Sequence, residues 1–154
     1  MSYLSNDNIQ SDRNEDSVLE RLEEHTGLTS VKTPIFARFD FLLQSPSFFD
    51  VIGEIKTRVR FFSDGWFVAD KKREHLQKMQ EVLSVPSFKT QAWFVIYCVE
   101  NDSIYLLDLD SDYEYETLVM TNRYSTSTQS ESGRMIPATY WQVLPSPSVL
   151  SVSL

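Results

Sequence analysis

The chain has 154 residues, a formal net charge of −8 and a single cysteine. This length corresponds to one domain, and an apolar fraction of 42% is typical of a globular protein with its own core. A lone cysteine excludes an internal disulfide or a cysteine metal cluster, and no apolar tract approaches the ~20 residues of a membrane span. The negative charge opposes binding to nucleic acid, although the basic residues concentrate between Lys56 and Lys89.

The N-terminal part of the chain is polar and acidic. Residues 1–13 have neither hydrophobic periodicity nor a signal sequence, which predicts a disordered lead-in to an intracellular, cytoplasmic protein. Residues 14–25 carry an apolar stripe at helical spacing, formed by Val18, Leu19 and Leu22. Gly27 then predicts the end of this first helix. Glu15 extends the stripe, so we expect this acid to face inward.

A strongly apolar strand with aromatic residues on both faces is predicted over residues 35–43. It contains Asp40, whose burial costs several kcal/mol unless it meets a cation, a metal ion or good hydrogen bonds. The proline-containing turn at 44–47 predicts a hairpin into the next strand, over 48–60.

The strand over residues 48–60 carries the candidate site. A period of two places on one face Val51, Gly53, Ile55, Thr57 and Val59. The other face carries Asp50, Ile52, Glu54, Lys56, Arg58 and Arg60. We expect the first face to lie in the core and the second to lie outside it. Because side chains two residues apart point the same way at about 7 Å, Glu54 and Lys56 can converge on one small ligand.

A second amphipathic helix is predicted over residues 70–83, after a turn at 63–65. Asp70 lies where it caps or favours the start of this helix. The apolar stripe consists of Leu76, Met79 and Leu83. Lys72 lies on the first turn of this stripe, so its ammonium either extends to solvent or reaches a polar pocket at the sheet edge.

The central strand candidate is the continuous apolar run 92–99, which is typical of a strand buried on both faces and contains Cys98 as a buried thiol. Residues 104–109 are expected to pair with it. The acids between 110 and 116 predict a solvated loop or edge strand, and 117–120 a short strand.

The C-terminal part has fewer signals. Residues 125–132 form a low-complexity sequence that predicts a loop. A last short helix is expected over 138–144, starting after Pro137 and stopped by Pro145. Residues 145–154 are interpreted as a tail, so the predicted domain covers 14–144.

The element order predicts an α/β fold, of the α+β type with a mixed sheet: helix, strand, strand, helix, strand, strand, with flanking helices. Asp40, thirteen intervening residues and then Glu54-Ile55-Lys56 resemble the PD-(D/E)xK superfamily of restriction-endonuclease-like nucleases. Residues 15–22 followed by Gly27 are similar to the first helix of archaeal Holliday-junction resolvases and their phage relatives, in which an acid opens the helix. The sequence departs from the pattern in three respects: Phe39 rather than proline precedes Asp40, there is no Gly-rich DNA loop, and the net charge is negative.

This resemblance implies a Mg²⁺-dependent DNA endonuclease or resolvase, with Mn²⁺ as a substitute, that cuts duplex or branched DNA as a homodimer. Mg²⁺ prefers oxygen ligands, and the implied ligands are Asp40, Glu54, the carbonyl of Ile55 and, for a second metal or its water, Glu15. Lys56 would orient the attacking water or stabilise the transition state. The implied DNA contacts are Arg58, Arg60 and Lys72.

Two other interpretations stay open. The first is a catalytically silent nuclease-fold protein, for example a phage-encoded interaction module, whose acidic surface binds a protein partner. The second is an unrelated α+β binding domain, in which Asp40, Glu54 and Lys56 form a cross-strand salt bridge worth about 0.5 kcal/mol. His25 and His75 lack the spacing of a zinc site.

Overall fold

The computed structural model describes residues 6–33, 39–121 and 130–147. Within these ranges the chain is an α+β fold with two α-helices, nine β-strands and one short 3₁₀-helix. None of the helices described carries an apolar stretch long enough to cross a membrane.

The larger of two sheets has six strands. They are β1 (Thr29–Lys32), β2 (Phe41–Gln44), β3 (Phe49–Arg58), β5 (Gln91–Cys98), β6 (Ser103–Asp108) and β9 (Gln142–Leu144). Their spatial order is β1-β2-β3-β5-β6-β9. The β3–β5 pair is parallel and the other pairs are antiparallel. The sheet is therefore mixed, as the sequence predicts.

The smaller sheet has three antiparallel strands in the order β4-β8-β7. They are β4 (Trp66–Ala69), β7 (Glu116–Thr121) and β8 (Ser130–Ile136). A parallel pair needs a crossover connection, and the connection from β3 to β5 contains β4 and helix α2 (Asp70–Leu83). The 3₁₀-helix Ala138–Tyr140 links β8 to β9.

Helix α1 (Asn6–Thr26) covers one face of the six-stranded sheet. Its stripe of Val18, Leu19 and Leu22 is buried against Phe41, Leu43, Val51, Ile55, Val95, Ile104 and Leu106. The helix ends as predicted at Gly27, which adopts a φ of 72° and donates its N–H to the Glu23 carbonyl at 2.8 Å.

Helix α2 and the smaller sheet cover the opposite face. The apolar core on this side includes Ile52, Trp66, Val68, Leu76, Phe94, Ile96, Tyr105, Leu107 and Ile136. The predicted bounds of α2 are confirmed, and Leu76 is completely buried while Met79 and Leu83 pack at the edge of this core. Its N-cap is Ala69, so Asp70 lies in the first turn rather than at the cap.

The structure confirms five predicted elements within one or two residues: the hairpin at 44–47, the turn at 63–65 and the strands over 92–99, 104–109 and 117–120. Cys98 is buried and forms no disulfide. Of the predicted loop 125–132, residues 125–129 lie outside the described residues, and residues 130–132 begin strand β8, so the loop prediction was wrong there. Residues 1–5, 34–38, 122–124 and 148–154 also lie outside the described residues.

Several predictions were wrong. Helix α1 begins at Asn6 rather than Asn14, because polar residues continue a helix at a cost below about 0.7 kcal/mol each once it is nucleated. The predicted helix over 138–144 is only one 3₁₀ turn followed by β9, since Trp141 turns into the core and Ile104, Tyr105 and Leu106 pair with the strand. Strands β1, β4 and β8 were not predicted.

The expectation that only one face of β3 lies in the core was also wrong. Residues 51–55 are all buried, because α1 covers the face of Val51 and Ile55, and α2 covers the face of Ile52 and Glu54. Val59, expected in the core, lies beyond the end of the strand and is 69% exposed.

A polar cluster around Asp102 ties α1 and the C-terminal segment to the β5–β6 turn. The Asp102 carboxylate accepts hydrogen bonds from Tyr97 Oη at 2.7 Å and Ser146 Oγ at 2.8 Å, and it pairs with Arg21 at 3.3 Å. Burial, with the Asp102 hydrogen bond, raises the pKa of Tyr97 to about 12. Burial also acts to raise the pKa of Asp102, but the three donors outweigh it and lower that pKa.

We expect Asp102→Asn to lower the free energy of unfolding by about 1 kcal/mol at neutral pH, a discounted value because the side chain is 48% exposed. Asn tolerates the positive φ of 50° found here. The folded-state pKa lies below the ordinary 3.8, so the difference should vanish as pH falls from 3.8 through that pKa. Denaturant unfolding across this range, with the exposed Asp112→Asn as control, measures it, and a difference independent of pH would contradict the assignment.

Candidate functional site

Asp40 is anchored immediately before β2, at the edge of β3, and not in the middle of a strand as predicted. Its N–H donates to the Gly53 carbonyl at 2.8 Å, and its carbonyl accepts from the Thr33 N–H at 3.0 Å. Its side-chain Oδ2 accepts the Ile55 N–H at 2.8 Å. These bonds fix the half-buried carboxylate beside β3 and provide the partners that its sequence position requires.

Glu54 is the most buried acid of the site, with 3% of its surface exposed. Lys56 Nζ lies 3.4 Å from Glu54 Oε1, and Lys72 Nζ lies 3.3 Å from the same oxygen. Lys56 comes from the same strand, whereas Lys72 comes from the first turn of α2. Of the two alternatives for Lys72, the contact with a polar group inside the fold is therefore the one observed.

The ionisation of Glu54 is opposed by its surroundings. Burial raises the pKa of the Glu54 carboxyl above its ordinary value, and the negative charge of Asp40 raises it further. Lys56 and Lys72 act in the other direction, but the net shift is upward. Two carboxylates and two ammonium groups thus share one partly enclosed site, in which an additional cation would relieve the repulsion between Asp40 and Glu54.

The backbone of β3 contributes to the same site. The Gly53 carbonyl and the Ile55 N–H both point at Asp40. Because the N–H and C=O of one strand residue point to the same side, the Ile55 carbonyl also faces the Asp40 side. This is the orientation that its predicted role as a metal ligand requires.

Gly53 allows the chain to pack tightly next to these groups. A Cβ at position 53 would clash with the ring of Phe41 and would lie 2.9 Å from the Trp93 carbonyl oxygen. A side chain there would displace Phe41, which directly follows Asp40. The glycine therefore helps to set the position of the first carboxylate relative to the second.

Comparison of the chain with protein-family models, curated sequences and solved structures gives no match. Any functional proposal must therefore rest on the arrangement of the site itself and not on similarity to known proteins.

Glu15 lies on the α1 side of the sheet, whereas Glu54 projects toward α2. Its Oε2 atom is 3.6 Å from Lys32 Nζ on β1, and Lys32 also pairs with Asp16 at 3.4 Å. Within the described ranges, His, Cys, Asp and Glu side chains form no group of three or more suited to a metal ion. The second-metal role of Glu15 stays a prediction.

The two arginines predicted to bind DNA have different surroundings. Arg58 is half-buried and donates from Nη1 to the Thr57 carbonyl at 3.0 Å. Burial lowers the pKa of Arg58 by more than the nearby negative charge of Glu131 raises it, so the net shift is downward. Arg60 lies beyond the end of β3 and is exposed. Of the two, Arg60 is the better placed to meet a phosphate.

Sequence reasoning missed Glu131 as a neighbour of this strand. It lies on β8, in a polar segment without the alternation that marks a strand. No sequence signal connects it to Arg58, because the two meet only through the docking of the smaller sheet near β3.

Proposed function

We propose that the chain is a metal-dependent nuclease with a restriction-endonuclease-like core, a phosphodiester hydrolase acting on DNA. The observation that carries the proposal is the convergence of Asp40, Glu54 and Lys56, which are separated in sequence, with Lys72 of α2. The two lysines balance the formal charge of the two acids, but burial and the negative charge of Asp40 still raise the pKa of Glu54, so a divalent cation between the acids would relieve an unfavourable arrangement.

The donor set fits a hard divalent cation. Mg²⁺ and Mn²⁺ take oxygen ligands and keep several waters, and they are held by one or two carboxylates together with substrate phosphate. Asp40, Glu54 and the Ile55 carbonyl are the groups that would hold the ion. When bound, the ion would supply charge neutralisation on the phosphate oxygens.

The residues of the chain have separate roles in this proposal. Glu54 and Asp40 provide the negative charge that retains a cation. Lys56 directs a donor toward the same site, where it orients the attacking water and stabilises negative charge on the phosphate. Lys72 positions Glu54 through its 3.3 Å contact and adds positive charge at the rim.

A direct test is cleavage of end-labelled linear duplex, branched and single-stranded DNA with Mg²⁺ or Mn²⁺. We expect metal-dependent cleavage that EDTA stops and that Lys56→Ala reduces by roughly 10²-fold or more. Lys78→Ala, which removes an exposed lysine of α2, is the matched control and should cleave like the wild type. Equal cleavage by Lys56→Ala would locate the activity elsewhere or in a contaminant.

A second candidate function is favoured by the net charge of −8 and by the pairing of both lysines with Glu54. In this alternative the site is a closed ion-pair cluster in a nuclease-like fold that binds a protein partner. A folded protein that cleaves none of the substrates and binds no divalent ion would support it.

A further inference from the structure

Two adjacent phenylalanines are exposed in the segment that follows β3. The exposed fraction is 41% for Phe61 and 56% for Phe62. Single exposed apolar residues are common on protein surfaces, but two adjacent exposed aromatic rings near the candidate site indicate a binding surface.

These rings rest on a rigid base. The Phe61 ring centroid lies 6.0 Å from that of Trp66 and 5.9 Å from that of Tyr105, and both of these residues are buried. The Phe62 ring meets Trp66 edge to face at 6.2 Å. Because their lower sides are packed on the core, the two rings present their outer surfaces in fixed positions.

The backbone of the segment is also held. The Phe61 N–H donates to Glu100 Oε2 at 2.7 Å, and the Phe62 carbonyl accepts from the Gly65 N–H at 3.2 Å. Little ordering entropy would be lost if a ligand stacked on rings that are already placed.

The register of the sheet places this surface close to the candidate site. Lys56 pairs with Ile96, and Ile96 pairs with Tyr105, so their side chains share one face in a single row. Neighbouring strands are about 4.8 Å apart, which puts Tyr105 about 10 Å from Lys56. Ile96 and Tyr105 are buried, so this separation runs through the core, and a DNA strand that joined the two places would follow the surface above it.

We propose that Phe61 and Phe62 form a stacking surface for unpaired bases of a DNA strand whose backbone passes through the candidate site. This inference rests on the proposed function and specifies its substrate class, DNA with a single-stranded segment. Exposed Arg60, directly before the two rings, supplies charge for a neighbouring phosphate. An uncharged apolar partner would gain nothing from this arginine or from the two lysines at Glu54.

Two acids offset the positive charge of Arg60 at this surface. Glu100 accepts the Phe61 N–H, and Asp64 lies in the following turn. Stacking should therefore supply more of the binding at this position than ion pairing does.

The test is fluorescence anisotropy with a labelled oligothymidine strand and a blunt duplex of equal length, using the wild-type protein in EDTA so that no strand is cut. We expect tighter binding of the single strand. Phe62→Ala should weaken it by roughly 5- to 100-fold, the range found for loss of one stacked base. Phe62→Trp keeps a stacking face and should bind like the wild type.

Phe49→Ala is the matched control, since Phe49 is 42% exposed at the opposite end of β3. Phe62 is preferred to Phe61 for substitution because it makes fewer core contacts, and circular dichroism confirms folding. Preference for the duplex, no binding of either DNA, or wild-type affinity in Phe62→Ala would overturn the inference.

The two proposals fail separately. Metal-dependent cleavage together with unchanged binding by Phe62→Ala would retain the nuclease and refute the stacking surface. Single-strand binding that depends on Phe62, without cleavage in Mg²⁺ or Mn²⁺, would retain the stacking surface and refute the nuclease.

Discussion

Glu54→Gln is expected to abolish DNA cleavage while raising the free energy of unfolding at neutral pH. The variant removes a carboxylate proposed to hold the metal, so we expect the cleavage rate to fall by roughly 10²-fold or more. It also removes a buried charge whose ionisation the folded state opposes. Activity and folding stability should therefore change in opposite directions, as they do where the groups of an active site lower the stability of the folded protein.

The pH dependence follows from the sign of the shift. The pKa of Glu54 is raised in the folded protein above its ordinary value of 4.5, so the folded state keeps the proton to a higher pH than the unfolded state does. The stability associated with this group is present below pH 4.5 and is lost as pH rises through the folded-state pKa. Glu54→Gln should lack this decline.

Denaturant unfolding of both proteins across this range measures the effect. Glu81→Gln, which neutralises an exposed acid on α2, is the control for the change in net charge and should leave the decline in place. A lower free energy of unfolding for Glu54→Gln than for the wild type at neutral pH would mean that the lysine pairs outweigh the burial cost. The site would then be a structural ion-pair cluster.

Leu76→Ala should produce the second large effect, a loss of about 3 kcal/mol in the free energy of unfolding. Leu76 is completely buried between α2 and the sheet, and its truncation removes packing and leaves a cavity. The midpoint of thermal unfolding should fall by roughly 6 to 12 °C. Val82→Ala, on the same helix but 73% exposed, should change the free energy by about 0.5 kcal/mol or less.

This substitution also bears on the site. Lys72 lies one turn before Leu76 on the same face of α2, so we expect the packing of Leu76 to help hold Lys72 beside Glu54. A Leu76→Ala protein as stable as Val82→Ala would show that α2 is not held by this contact, and the placement of Lys72 would need another cause.

The elements with strong periodicity could be predicted from the sequence. The apolar stripe of α2, the continuous apolar run of β5 and the proline turn before β3 each specify one structure, and all three are found. The convergence of Asp40 with Glu54 and Lys56 was also predictable, because a hairpin brings the two strands side by side.

Other features depend on tertiary structure. β1 and β8 are polar strands that exist because a neighbour pairs with them, so their own sequences carry no alternation to detect. The burial of Glu54 could not be predicted either. Its strand alternates like a solvated one, and only the docking of α2 and the smaller sheet encloses that face.

The most direct test of the central claim is isothermal titration of the metal-free protein with Mn²⁺, because it requires no choice of DNA substrate. We expect one binding event in the wild type that is lost in Asp40→Asn and in Glu54→Gln but retained in Asp64→Asn, whose acid is exposed in the turn after β3. Binding unaffected by Asp40→Asn and Glu54→Gln, or no binding by the folded wild type, would contradict a metal site at these two carboxylates.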